Sequence, residues 1–559
     1  MNKNNKENAA NRDTYIGKVY GIGETNYKNA ILQSIDEKWS KLHTDGWIHI
    51  HDLDAYGLTY NCLTFNLLNK FPFDEFESLQ SDESKIIRYF DFLKELFENM
   101  GNEQSGGMAL ANFDIDTAYI FKKLNIDVAK NKNIISSCIY SLILWCNNMH
   151  TRMGTTSYYI TLNIGLGTQP EEKLISESLL DGFKINNPLT FKPNIVFKVK
   201  QGVSLNKNDP NYDLLLKSIS VTNNKMIPTY LICDCDADKD VDPMKLSVVG
   251  CRSRIVANIF GEDNTIGRGN IANISINLPR IALLLKDENK LNLQNFLEKW
   301  KEIAESTKDI LLDRFYKTCE MNKEFFTTNI KYGLMNGDFS QNLFEIFKNG
   351  TLSIGFIGLS ETLEIIHNKK YWLDDNVYDD ALKIVMYMRN YCDEQTRKYN
   401  LNFSLLATSG ELISSRFLDL DKKSFNHKCM DKEFYTNSFH VEVDSEIASY
   451  EKINKEGAFH KYCNGGSITY VELKEAPNQN IEGIYDIICI AVKSGVRYLG
   501  FNFPRDFCND CSKEGVFGNN CFYCNSSNIT RIRRVSGYLE VQDFFTKGKY
   551  NESKQRKEN

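Results

Sequence analysis

The stretch CNDCSKEGVFGNNCFYCNSSNITRIRRVSGYL, residues 508–539, carries two features of different chemistry. Cys508-x2-Cys511 and Cys521-x2-Cys524 are two CxxC knuckles nine residues apart, and four thiolates at that spacing form the tetrahedral sulfur set that Zn²⁺ takes. An iron–sulfur cluster or two redox dithiols use the same spacing, so the quartet predicts a metal site without naming an activity. Thirteen positions after Cys524 stands Gly537, within Arg533-Arg534-Val535-Ser536-Gly537-Tyr538-Leu539. An isolated glycine is ordinarily a turn or a helix C-cap. Its other chemistry is radical storage: the α-hydrogen leaves easily because the carbon radical delocalises into the flanking amide nitrogen and carbonyl, and no side chain prevents planarity.

Upstream, the chain is long enough for a large core: 559 residues, 42% hydrophobic, net charge −6. The charge excludes the uniformly basic footprint of a dedicated nucleic-acid binder, so no direct nucleic-acid binding is expected. The start, MNKNNKENAANRD, has no apolar signal segment, no apolar run reaches about 18 residues, and a cytoplasmic protein without a membrane span is expected. Fifteen cysteines in a reducing compartment read as ligands, catalytic thiols or small core residues. A polar arm to about Asp13 precedes a helix predicted near Asn26 to Leu42, where Ile31, Leu32, Ile35, Trp39 and Leu42 recur at helical spacing. From Trp47 to the late 400s, short apolar strands alternate with amphipathic helices, such as Asn295–Leu312 and Val377–Tyr399, with no breaking linker; this predicts one large α/β body. The charged tail from about Lys547 is expected to be mobile.

With RVSGYL following a Cys₄ knuckle, the chain resembles the anaerobic, class III ribonucleoside-triphosphate reductases, in their large glycyl-radical subunit. The resemblance continues in order through HIHDLDAYGLTYNCL at His49, NEQSGGMALANFDID at Asn102, GCRSRIVANIFGEDNTIGRGNIANISINLPRIAL at Gly250, SIGFIGLSETL at Ser353, NFSLLATSGE at Asn402, FYTNSFHVEV at Phe434, GGSITYVEL at Gly465 and GVRYLGFNFPRDFC at Gly495. Pyruvate formate-lyase-like glycyl-radical enzymes lack the Cys₄ knuckle.

The resemblance implies an α/β fold, a ten-stranded α/β barrel over residues 46–500 with a central finger loop about 243–275. An N-terminal arm and helix would occupy 1–45, the zinc knuckle 501–529, and the glycyl-radical loop and charged tail 530–559. It implies Cys251 at the finger tip, made a thiyl by the radical on Gly537 and abstracting the 3′-hydrogen of the ribose. Cys62, after Asn61, would stand at the opposite ribose face, where the 2′-hydroxyl leaves as water, with Asn61 itself among the substrate-binding residues. Asn270, Asn273 or Asn277 would hold ribose hydroxyls. Ala407-Thr408-Ser409-Gly410-Glu411 could open a helix and offer N–H groups to a triphosphate, although the family pattern there is Thr-Pro-Ala-Glu; an ordinary N-cap is the alternative. Cys508, Cys511, Cys521 and Cys524 would hold a structural Zn²⁺.

The implied partners are ribonucleoside triphosphates, a second copy in a homodimer, and a radical-SAM activating protein that alone holds the S-adenosylmethionine and [4Fe-4S] cluster. The reductant would be formate or a thiol redoxin. Formate-using members carry a methionine two residues before the thiyl cysteine; Val249 stands there in this chain, with Met244 the nearest methionine. The stretch before Trp47 is too short for the ATP-cone of many relatives, so dATP control through a cone is not expected. The competing readings are a glycyl-radical enzyme acting on another small molecule and a catalytically dead nucleotide-binding paralogue. Retained radical formation without triphosphate binding marks the first, and absence of any radical marks the second.

Overall fold

The alternation of apolar strands and amphipathic helices resolves into two parallel half-sheets. The computed structural model describes residue 7 and residues 14–151, 156–184, 189–340 and 342–559, so the polar arm lies outside it except for Glu7. A short β1 (Ile48–Ile50) leads into β2 (Cys62–Phe65), β3 (Met108–Leu110), β4 (Ile160–Ile164), β5 (Asn194–Val199) and β6 (Thr229–Ile232), of which the last five pair in parallel in that order. The second half holds β7 (Arg268–Asn277), β8 (Thr351–Ile357) and β9 (Asn402–Ala407), again parallel, with β10 (Thr469–Glu472) and β11 (Tyr498–Asn502) as a parallel pair. The halves meet antiparallel at β2–β7 and β6–β11, while β1 lies on β7 outside this circuit.

The remaining gap, between β9 and β10, is closed by one parallel bridge from Leu406 to Gly466. Gly465 N–H donates to Leu405 O (2.8 Å) and Ala407 N–H to Gly466 O (3.0 Å). This closure makes the sheet the expected ten-stranded barrel. Every residue of β3, β4 and β8 is buried, as parallel strands covered on both faces require.

Helices wrap the barrel, and here the predicted first helix needs correction. It is two helices, α1 (Tyr15–Ser34) and α2 (Glu37–Thr44), because Ile35 turns extended and Asp36 caps the second, its carboxylate accepting from Lys38 N–H at 2.8 Å. The two later amphipathic segments are α3 (Leu293–Cys319) and α4 (Asp375–Tyr399), which bring Trp300 edge-on to Tyr391, centroids 5.4 Å apart. A shorter α5 (Ile413–Asp421) follows β9.

Past the barrel, β12 (Arg505–Cys508), β13 (Ile529–Arg534) and β14 (Leu539–Val541) pair antiparallel, so the cysteine knuckle and the glycine loop share one small sheet. Gly537 lies in the β13–β14 turn. The tail, expected to be mobile, is instead helical and docked: residues Lys547–Gln555 form α6, with Lys549 and Glu552 buried. Glu552 accepts from Lys549 Nζ (2.6 Å), Arg556 Nη2 (2.8 Å) and Asn437 Nδ2 (3.0 Å), so these three tail charges face each other and the barrel, while Lys554, Lys557 and Glu558 stay exposed. Among the described residues no helix is long and apolar enough to cross a membrane.

Candidate active site

Residues 246–267, between β6 and β7, run through the barrel as a finger. Its tip is a tight hairpin in which Val249 and Ser253 exchange backbone bonds (Ser253 N–H to Val249 O, 3.2 Å), with Gly250 at φ +63° supplying the left-handed turn. Five hydrogen bonds hold it. Val248 N–H and O bond the Asn163 amide at 3.0 and 3.2 Å, Arg254 N–H donates to Gly465 O (2.9 Å), and the Arg252 guanidinium reaches Ala407 O (3.3 Å) and Tyr470 OH (3.1 Å). At the base, the Arg254 and Arg497 Nε–H groups share the carboxylate of Asp238 at 2.7 and 2.9 Å.

Cys251 crowns the tip, its Sγ 3.0 Å from Ser409 Oγ. The backbone of Gly537 presses against it so closely that a Cβ on Gly537 would lie 2.6 Å from Cys251 Cα and nearer still to its carbonyl. Only glycine fits, and the two groups expected to exchange a hydrogen are in backbone contact. Tyr538 anchors the loop: its hydroxyl donates to Glu411, whose two carboxylate oxygens both stand at 2.9 Å, and its ring meets Tyr159 edge-on at 5.1 Å. Burial, and then the charge of Glu411, push the Tyr538 hydroxyl well above its usual range.

Cys62 opens β2 and faces the same cavity, of about 110 Å³. Its thiol donates to Asn61 Oδ1 (2.8 Å), while Gly107 N–H donates to its sulfur (3.2 Å). The Gly106-Gly107 pair exists for this approach. A Cβ on Gly106 would stand 2.7 Å from Cys62 Sγ, and one on Gly107 2.7 Å from Gly250 Cα.

The other sequence-predicted residues divide. Of the three asparagines, Asn273 lines the cavity. Asn270 is spent inside the sheet on Ser353 Oγ (2.8 Å) and Thr351 Oγ1 (3.0 Å), and Asn277 caps the helix after β7 through Arg280 N–H (3.3 Å). Thr408 and Ser409 line the cavity, Thr408 Oγ1 bonded to Ser275 Oγ at 2.8 Å; Gly410 packs instead toward Asn437 and Ile357. The segment does not open a helix as expected. The chain stays irregular until α5 starts at Ile413, because Glu411 turns back to hold Tyr538 and Ser536.

Sequence reading missed a second polar group in the cavity. Glu7, from the arm, accepts from His49 Nε2 (3.1 Å), His51 Nδ1 (2.5 Å) and Asp52 N–H (3.0 Å), and the far nitrogen of His51 meets Ser275 Oγ at 2.8 Å. Burial works to raise the Glu7 carboxyl, but the two histidines hold it well below the usual range. Burial takes His49 down to about 4 and lifts Asp52 to about 6, helped by the charges of Glu7 and Asp54. The signal was there in HIHD; Glu7, alone in an Asn- and Lys-rich arm, had none.

The four knuckle sulfurs lie within 4.8 Å of one another, with Cys508–Cys524 at 3.5 Å and Cys511–Cys521 at 3.6 Å. A tetrahedron with 2.3 Å Zn–S bonds has edges of about 3.8 Å, so the donor set and its span fit Zn²⁺.

A closed ten-stranded barrel, a cysteine on a finger through it and a glycine loop laid on that cysteine define the glycyl-radical class of barrel enzymes. A solved structure named anaerobic ribonucleotide reductase superposes with a TM-score of 0.71, at 16% identity, over 97% of this chain and 88% of its own. The family model for anaerobic ribonucleoside-triphosphate reductase matches residues 7–558, and the chain belongs to that family. The enzyme of that name from Haemophilus influenzae is 31% identical over 73% of this chain, and the match spans 60% of that relative's length. The Escherichia coli enzyme is 29% identical over 92% of this chain and 77% of its own.

Proposed function

We propose that the chain reduces ribonucleoside triphosphates to 2′-deoxyribonucleoside triphosphates by radical chemistry, for DNA synthesis and repair. The observation that carries this reading is the backbone contact of Gly537 with Cys251, at a cavity that Cys62 shares. A radical kept on the Gly537 Cα takes the hydrogen atom of the Cys251 thiol, re-forming the glycine C–H and leaving a thiyl. The thiyl takes the ribose 3′-hydrogen. The three bonds are close in strength, so each transfer is near thermoneutral, and contact distance with exclusion of water supplies the rest. Loss of the 2′-hydroxyl as water then draws on the Cys62 face. Two electrons come from outside, from formate or a thiol redoxin, and the 3′-hydrogen returns from Cys251 so that the radical ends again on Gly537. Val249 at the place of the formate-type methionine favours the thiol donor.

Asn61, Asn273, Thr408 and Ser409 would position the ribose and its substituents, and Asn270 and Gly410 would act only through the residues they pack. Zn²⁺ on the Cys₄ set would brace the small sheet whose β13–β14 turn presents Gly537. Since Gly537 cannot generate its own radical, a radical-SAM activating protein must reach this loop, and the enzyme is expected to work as a homodimer in anaerobic cytoplasm.

The test is electron paramagnetic resonance after anaerobic activation with that activating protein, S-adenosylmethionine and a reductant. A doublet in the wild type that Gly537→Ala lacks, followed by CTP reduction, supports the reading. No doublet with zinc bound and a competent activating protein ends it.

A further inference from the structure

Asp52 sits at φ +49°, ψ 52°, a left-handed conformation that a side-chain-bearing residue seldom adopts, and it does so against the reaction cavity. Its two polar ends are both used. The backbone N–H donates to Glu7 Oε2 (3.0 Å), which is consistent with the turn being held from outside, and the carboxylate accepts from Asn61 Nδ2 at 2.5 Å. The side chain of Asn61 in turn accepts the Cys62 thiol proton on Oδ1 at 2.8 Å, with Ser105 Oγ as a second, longer acceptor of its amide (3.3 Å).

An ionised carboxylate can only accept, so the Asn61 atom facing Asp52 must be the amide N–H₂. The atom facing Cys62 is thereby the carbonyl. Without Asp52 the amide could turn over and present N–H to the sulfur, which would stabilise a thiolate instead of a thiol. A thiol is what the reduction needs on that face, because the departing 2′-hydroxyl takes a proton with it. We propose that Asp52 is a positioning residue that fixes Asn61 in the one orientation keeping Cys62 a hydrogen-bonded thiol. The inference rests on the reading of Cys62 as a working cysteine of the reductase.

The experiment compares wild type with Asp52→Gly, which suits the left-handed backbone and removes the acceptor, and with Asp52→Asn, whose carbonyl can still accept from Asn61 Nδ2 and which serves as the conservative control. Two readouts are taken. Iodoacetamide labelling of Cys62 at neutral pH in unactivated protein, mapped by peptide mass spectrometry, should rise by about threefold or more in Asp52→Gly and less in Asp52→Asn, since the thiolate is the reacting form. In activated protein the doublet should be unchanged while kcat falls about tenfold in Asp52→Gly, the loss exceeding any rise in KM that comes through the ribose contact of Asn61. Wild-type labelling in Asp52→Gly, or a KM rising with kcat held, overturns the proposal. If even the wild type forms no doublet, the reductase reading fails while the labelling still decides the geometry of Asp52, Asn61 and Cys62.

Discussion

The two cysteines that face the cavity live in opposite surroundings. Cys251 is carried by a loop, half-buried, with a hydroxyl beside its sulfur and a glycine backbone pressed on its own. Cys62 begins a strand, is buried, and is bonded through its S–H to a side chain that is itself pinned. The first environment suits exchange of a hydrogen atom, which asks for contact and little else; the second suits control of a proton, which asks for fixed donors and acceptors. Under the proposed function, one pocket would keep radical and acid–base work on separate walls.

The sharpest way to break this contrast is Gly537→Ala. Its methyl would collide with Cys251, so the doublet should vanish entirely in paramagnetic resonance while metal analysis still finds one zinc per chain. Next come the cysteines themselves. Cys251→Ser and Cys62→Ser should each lose at least about 10³-fold in turnover, as for removal of any reacting group. They should differ in heavy water: the Cys62→Ser doublet should collapse as deuterium enters Gly537 through the Cys251 thiol, and the Cys251→Ser doublet should persist. Identical behaviour would erase the division of labour. Gly107→Ala intrudes between the walls, 2.7 Å from Gly250 Cα. It should cost about 1–3 kcal/mol in denaturant unfolding, the usual range for overpacking, and reduce turnover without abolishing radical storage.

The smallest effect concerns the tail. Burial alone would raise Glu552, but Lys549 and Arg556 bring it down to about 2 from an ordinary carboxyl near 4.5. A depressed carboxyl contributes stability that is present above the ordinary value and lost as pH falls through the depressed one. Docking of α6 should therefore hold at neutral pH and weaken between about pH 4.5 and 2, as amide hydrogen exchange in residues 547–555 would report.

What could be read beforehand follows the same contrast. The Cys₄ set and the strand–helix alternation are local patterns, while Cys251 and its pairing with Gly537 are expected only through the resemblance; the structure sets Cys251 on the finger tip with the Gly537 backbone against it. The Glu7 contacts join residues 42 to 45 positions apart, and the Asp52–Asn61 bond depends on a backbone angle; neither leaves a spacing to read. The tail misled for a related reason. Charge composition suggested solvent, whereas Lys549, Glu552 and Arg556 at helical spacing neutralise one another against Asn437. The first predicted helix failed at Asp36, a capping residue overlooked inside an apolar periodicity.

Gly466 closes the barrel seam by pairing with Leu406, and the same residue pairs with Ser253 on the finger hairpin. The hoop is thus fastened to the pin that carries Cys251. Prying the seam apart would shift Cys251 in the same movement, so closure of the barrel and placement of that sulfur stand or fall together.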